Sequence, residues 1–282
     1  MLRTVAQALA AVQSLGLDRL DGQLLLLHAL GKSQSDRAWL LAHDREALND
    51  DVTRRFDTLA KRRTAGEPLA YIVGYQEFFG LRLQVDPRVL IPRPDTETLV
   101  NWSLEILQSN AMPAEAAVID LGTGSGAIAL ALAHHLTIAG RPAHVAATDA
   151  SPGALAVARE NASRLRLNVT FFESSWFENV SGHFHVIASN PPYVADADPH
   201  LTDLTHEPLP ALTAGPDGLA DIRQIIGQGC NYLHPGGWLL LEHGFDQALP
   251  VRKLLAQRGF LQVHSRLDLA GIERCSGGQW QE

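Results

Sequence analysis

From residue 117 onward, short runs of apolar and β-branched residues alternate with longer stretches of helical composition, and this alternation limits the fold more than any other feature. The runs occupy residues 117–121, 144–148, 169–172, 185–189, 238–242 and 260–264, and the stretches between them include 127–136, 153–165, 218–233 and 247–258. Parallel neighbours need a crossover, and a helix is the usual one. Repetition of this kind predicts an α/β domain with a mostly parallel sheet and helices on both faces, an architecture that binds nucleotides at its carboxyl edge.

The first 66 residues have a different texture. Polar caps at Thr4, Asp18, Ser35/Asp36 and Asn49 precede apolar residues at helical spacing, and Gly16, Gly31 and Gly66 follow them, so four short helices are expected. The fourth carries Val52, Phe56 and Leu59 on one face and Arg54, Arg55, Lys61, Arg62 and Arg63 elsewhere. That basic run reads as a solvated face or as a docking surface for an acidic partner. After Gly66-Glu67-Pro68, aromatic and β-branched residues appear. Leu81, Leu83 and Val85 alternate with polar neighbours, and Gly80 separates them from 76–79, which predicts a β-hairpin. Pro87, Pro92 and Pro94 restrict the chain before a helix starting at Asp95 or Thr96.

Asp120-Leu121-Gly122-Thr123-Gly124-Ser125-Gly126 ends the first run of the alternating half and opens a helix. Its G-x-G-x-G register is neither the dinucleotide fingerprint nor a phosphate loop, since no Gly-Lys-Ser/Thr follows. The second run ends at Asp149, where a carboxylate can accept from ribose hydroxyls. An acid-preceded glycine loop without a lysine suits an adenosine-type ligand lacking phosphates, such as S-adenosylmethionine.

Asn190-Pro191-Pro192-Tyr193 follows the fourth run, again at the ligand edge. Two prolines fix φ and lack N–H donors, so the loop is stiff and its carbonyls are free. The Asn190 side-chain oxygen and the Pro191 carbonyl are suited to accept the two hydrogens of a planar NH2 group. Its lone pair would then face a methyl donor, and charge developing on nitrogen would be offset. Pro192 shapes the loop, and Tyr193 offers an aromatic face to an amide or a base. No metal is needed, and no metal-binding spacing is present; the His134-His135 pair points to different faces of one predicted helix.

With these motifs in place, the chain resembles the bacterial peptide-chain release-factor glutamine methyltransferases over nearly its whole length. The matching stretches are GEPLAYIVGYQEFFG (66–80), VDPRVLIPRPDTE (85–97), DLGTGSGAIAL (120–130), Trp176-Phe177, SNPPY (189–193), Glu207-Pro208 and LHPGGWLLLEHG (233–244). The resemblance implies a seven-stranded Rossmann-like S-adenosylmethionine-dependent methyltransferase domain at 96–282. It also implies a small helical substrate-docking domain at 1–66 and a β-hairpin linker at 67–95. The substrate would be the N5 amide of the glutamine in the Gly-Gly-Gln motif of class I release factors. Gly122, Thr123, Gly124, Ser125 and Gly126 would pass over the methionine part of the cofactor, Asp149 would bind its ribose, and Trp176 would lie by the adenine. Asn190 would border both ligands, with Pro191, Pro192 and Tyr193 completing the amide clamp. Arg93 and Glu97 would help to close the pocket. The family's basic ending is replaced here by Glu273-Arg274-Cys275-Ser276-Gly277-Gly278-Gln279-Trp280, which repeats the substrate tripeptide and reads as a glycine-rich tail. Self-methylation at Gln279 is a minor alternative.

Composition narrows the partners. The 282 residues are 46% hydrophobic and 19% charged, ordinary for a globular protein. Two cysteines exclude a disulfide framework, and no apolar run approaches a membrane span. The net charge of −8 is uneven: residues 1–66 sum to +2 and the remainder to −10. An acidic catalytic half argues against direct DNA binding. A cytoplasmic monomer without a leader segment is expected. Rival readings are a ribosomal-protein glutamine methyltransferase, an adenine-N6 nucleic-acid methyltransferase and a non-catalytic cofactor-binding module.

Overall fold

The computed structural model describes residues 3–113, 115–141 and 143–281. It divides into two compact units, Met1–Tyr75 and Gln76–Glu282. None of the described helices is long and apolar enough to cross a membrane.

The first unit is helical: α1 Val5–Ser14, α2 Arg19–Ala29, α3 Arg37–Ala42, α4 Asp50–Thr64 and α5 Leu69–Val73. Its starts follow the polar caps. Thr4 and Gln7 form a reciprocal capping box, and Asp18 and Asn49 accept from the Leu20 and Val52 N–H groups. Val5, Ala8, Val12, Leu25, Leu26, Leu40 and Phe56 pack as its core. Three of the α4 cations meet carboxylates: Arg54 with Asp51, Arg62 with Glu67 and Arg63 with Asp21. The α5 segment is helical although Tyr71, Ile72 and Val73 are aromatic or β-branched. Pro68 starts a turn whose carbonyl accepts from Tyr71 and Ile72, and burial of Ala70, Tyr71, Ile72 and Val73 outweighs their β-propensity.

The hairpin β1 Tyr75–Phe78 and β2 Leu81–Gln84 begins at the last residue of the first unit and otherwise belongs to the second. Phe79 and Gly80 both have positive φ (51° and 79°), the primed turn that matches strand twist. The Glu97 carboxylate accepts from the Phe79 N–H at 3.1 Å and anchors this turn. After a 3₁₀ turn, Pro94–Thr96, the elements run α6 Glu97–Gln108, β3 Ala117–Leu121, α7 Ala127–Ile138, β4 His144–Asp149, α8 Pro152–Leu165, β5 Thr170–Glu173 and β6 Phe184–Ser189. There follow α9 Ala220–Gly229, β7 Leu233–Glu242, α10 Ala248–Arg258, β8 Leu261–Leu267 and β9 Glu273–Gln279.

Seven strands form one sheet in the order β5-β4-β3-β6-β7-β9-β8. The ladders joining β5, β4, β3, β6 and β7 are parallel, and β9 runs antiparallel to both of its neighbours. One face packs on α6 and α7 through Leu99, Trp102, Leu130 and Leu132, the other on α9 and α10 through Ile222, Ile226, Val251 and Leu255. Strand order reverses between β3 and β6, so the crevice above their carboxyl ends is where a ligand is received.

The residues read as a glycine-rich tail instead form the inner strand β9. Sequence propensity favours no strand there, yet the space between β7 and β8 demands small residues. A Cβ on Gly277 would stand 2.5 Å from Leu240 Cδ2 and 2.8 Å from the Leu239 carbonyl oxygen. Gln279 is tied at both ends of its amide, donating to the Gly236 carbonyl at 2.9 Å and accepting from Gln262 at 2.6 Å. That arrangement opposes its use as a methyl acceptor.

Candidate active site

The glycine loop connects β3 to α7. Gly122, Gly124 and Gly126 all take positive φ (71°, 55° and 87°). At Gly122 a Cβ would meet the Trp176 ring at 3.3 Å, so glycine there lets the loop and the indole lie against each other. Thr123 and Ser125 are buried beneath the loop. The Thr123 hydroxyl donates to Asp120 Oδ2 at 2.6 Å and its N–H to the Thr148 carbonyl at 2.8 Å. Asp120 is fully buried with Oδ1 unpartnered; burial pushes its carboxyl up to about 7, opposed by Thr123 and the Ala129 N–H.

Asp149, at the end of β4, accepts from the Gly124 N–H through Oδ2 and from the Ser151 N–H through Oδ1, both at 2.8 Å. Each oxygen retains a lone pair for a ligand. Burial raises its pKa, and those two N–H donors counter the rise. Trp176 follows β5 with φ 49°, and its indole N–H donates to Asp221 Oδ1 at 3.3 Å.

These groups border a cavity of about 370 Å³. Gly122, Gly124, Asp149, Trp176, Asn190 and Pro192 all line it, so the glycine loop, the acid, the indole and the tetrapeptide share one space. Thr123, Ser125, Gly126, Pro191 and Tyr193 do not line it. Arg88 reaches the rim but is forked onto Asp86. The lining therefore carries carboxylates and apolar surface, without a free cation for phosphates. It fits a nucleoside bearing a positive or neutral substituent.

The tetrapeptide is held from behind. Ser189 donates to the Leu121 carbonyl at 2.7 Å, tying β6 to the glycine loop. Asn190 Nδ2 donates to Thr96 Oγ1 at 3.2 Å. The Tyr193 hydroxyl donates to Glu242 Oε1 at 3.3 Å, and its pKa is raised by burial and by the Glu242 charge. Glu242 is fully buried at the end of β7; burial pushes its carboxyl up to about 7, opposed by the Thr96 hydroxyl and by Arg274. Gln247 Nε2 points at three carbonyls, those of Tyr193, Asp217 and Gly218, at 3.1–3.4 Å.

Thr96, Glu242 and Gln247 carried no signal of their own in the sequence, because they meet the loop from distant segments. The stretches containing Thr96 and Glu242 stood out only through the family resemblance. Arg93 and Glu97 do not line the cavity. Arg93 pairs with the buried Glu207, whose other oxygen accepts from the Ile91 N–H at 3.0 Å, and Glu97 holds the hairpin turn.

Residues 1–74 match the PrmC N-terminal domain, and residues 101–209 match the methyltransferase small domain. A release factor glutamine methyltransferase of Bordetella pertussis is 49% identical over 268 residues, 93% of this chain and 95% of its own length. That of Pseudomonas aeruginosa is 48% identical over 267 residues, 93% of this chain and 92% of its own. A methyltransferase from Pyrococcus furiosus shares the fold, with a TM-score of 0.53 at 20% identity over 72% of this chain and 91% of that one. With near-half identity over almost its full length, the chain belongs to the release factor glutamine methyltransferase family.

Proposed function

We propose that the chain methylates the side-chain amide nitrogen (N5) of the glutamine in the Gly-Gly-Gln motif of class I release factors, with S-adenosylmethionine as donor. The observation that carries the reading is the shared cavity, whose lining includes Asn190 and Pro192 together with the glycine loop and Asp149. The family's name for its members supplies the substrate.

Bound at Asp149 and Trp176, the donor supplies an electrophilic methyl group. The protein's own work is positioning. Asn190 Oδ1 and the Pro191 carbonyl accept the two amide hydrogens, which turns the nitrogen lone pair toward the methyl carbon. As the C–N bond forms, the donor's methyl–sulfur bond would break to leave a neutral thioether; positive charge grows on nitrogen, and those two oxygens stabilise it more than they stabilise the neutral amide. The proton passes to water once the nitrogen is cationic and acidic, so no strong base is needed. Tyr193, braced on Glu242, packs beside the loop and keeps its shape. Residues 1–66 form the docking domain for the protein substrate in this reading, with 67–95 as the linker and 96–282 as the catalytic domain. The work is that of a cytoplasmic monomer without a metal.

The test mixes the protein with radiolabelled donor and, separately, purified release factor, ribosomal proteins and DNA. Label on the release-factor glutamine, abolished by Asn190→Ala, is expected. Label on ribosomal protein or DNA instead overturns the substrate, and cofactor binding without any label overturns catalysis.

A further inference from the structure

An asparagine amide can present either its oxygen or its NH2 to a ligand, and the two ends have nearly the same shape. Only the oxygen can accept a hydrogen from a substrate amide; the NH2 end would confront it with a second donor. Something must choose. The group that touches the far end of Asn190 is Thr96, whose Oγ1 lies 3.2 Å from Asn190 Nδ2 and which is 4% exposed. A hydroxyl has one proton, and its direction decides which asparagine end can face it. If Thr96 gives that proton elsewhere, its oxygen can only accept, and Asn190 must turn its nitrogen inward.

The place for that proton is Glu242. This carboxyl is fully buried, the Thr96 hydroxyl is among the groups that favour its charged form, and its Oε2 has no hydrogen-bond partner. The remaining groups around it are the Tyr193 hydroxyl from the loop after β6, Arg274 and Cys275 from β9, and Asp95 from the turn before α6. Tyr193 donates to Oε1, and Arg274 is shared between Asp95 at 3.4 Å and Asp268 at 3.3 Å. A buried acceptor with an unfilled oxygen is therefore available to the Thr96 hydroxyl whose oxygen receives Asn190 Nδ2.

We propose that Thr96 is a positioning residue which, by giving its proton to Glu242 and accepting from Asn190 Nδ2, locks the Asn190 amide with its oxygen toward the methyl-accepting nitrogen. The inference rests on the amide-clamp reading of Asn190 given above. It assigns Thr96 a directional role, which a residue that merely fills space would lack. Valine has nearly the same volume and neither donates nor accepts, so it leaves Asn190 free to rotate. Serine keeps the hydroxyl and loses a methyl.

The experiment compares Thr96→Val, Thr96→Ser, Asn190→Ala and the double variant Thr96→Val/Asn190→Ala, with donor affinity measured by calorimetry and single-turnover methyl transfer to release factor. Thr96→Val is expected to lower the transfer rate at saturating substrates at least tenfold, with donor affinity unchanged within twofold. Thr96→Ser should restore most of the rate, and the double variant should be no slower than Asn190→Ala alone. A Thr96→Val rate within twofold of the parent overturns the inference, as does equal impairment of Val and Ser. If Thr96→Val does not fold, Thr96→Ala against Thr96→Ser reads the same contrast. Full activity of Asn190→Ala would overturn the clamp itself, a result distinct from failure of the Thr96 contrast alone.

Discussion

The side-chain amide of Gln247 is bonded at both ends: Oε1 accepts from the Gly244 N–H at 2.8 Å while Nε2 donates to the Tyr193 carbonyl at 3.1 Å. One residue thus joins the turn after β7 to the end of the Asn-Pro-Pro-Tyr loop, and it reaches the Asp217 and Gly218 carbonyls as well. Two prolines make that loop stiff, but stiffness alone does not fix where it sits.

Replacing Gln247 with leucine keeps the volume and removes the tie. Buried carbonyls left without a donor cost about 1–3 kcal/mol, so the melting temperature falls. A tenfold or larger loss of methyl-transfer rate is expected, with donor affinity nearly unchanged. Calorimetry on donor binding beside a turnover assay separates the two; equal loss in both would place Gln247 in general stability only.

Asp149 organises the glycine loop and faces the cavity. Hydrogen bonds to a charged acceptor contribute roughly 1.5–3 kcal/mol. Asp149→Ala should therefore weaken donor binding by at least tenfold, read directly as a dissociation constant. Donor affinity like that of the parent would remove Asp149 from the binding site.

Asp120 is buried with one oxygen unpartnered, and its carboxyl is pushed up to about 7 from an ordinary 3.8. The folded state then binds a proton more tightly than the unfolded chain. This group's contribution to stability is complete below about pH 4 and is lost as pH rises toward 7. Between pH 5 and 8 the loss is about 2–3 kcal/mol. Asp120→Asn cannot ionise, so the gap between its urea-unfolding free energy and the parent's should widen in its favour as pH rises. A gap independent of pH would show that Asp120 does not titrate in this range.

Gly277, on the inner strand β9, has no room for a side chain against Leu240, the Leu239 carbonyl and Trp102. Gly277→Ala should cost about 1–3 kcal/mol through overpacking, seen as a lower urea midpoint. In the same preparation, mass spectrometry after incubation of the parent with donor should find Gln279 unmodified, because both ends of its amide are engaged within the sheet.

Much of the catalytic unit could be read from the chain because its signals are local. The strand at 117–121 coincides with β3, and the glycine loop and the Asn-Pro-Pro-Tyr loop both follow strands that carried clear β-branched runs. The hairpin was legible for the same reason, through alternation on either side of Gly80. Two elements ran against their composition. Tyr71, Ile72 and Val73 are aromatic or β-branched yet helical, since burial of all three outweighs propensity. Ser276, Gly277 and Gly278 look like a loop but form a strand, since an inner position beside Leu239 and Leu240 excludes larger residues. The contacts behind the site were invisible for a third reason. Thr96, Glu242 and Gln247 touch the 190–193 loop across 49–94 positions of sequence, and no local pattern encodes such meetings.

The place of β9 also sets an order on biosynthesis. A strand that must slide between β7 and β8 leaves the sheet open until residue 279 has emerged from the ribosome. The helical unit, with its core drawn from residues 5–73, has every part it needs long before then. The newborn protein thus carries a finished amino-terminal unit while the catalytic sheet still exposes the apolar edge of β7. Its vulnerability to chaperones, proteases and self-association is concentrated in the interval before β9 takes its place beside β7.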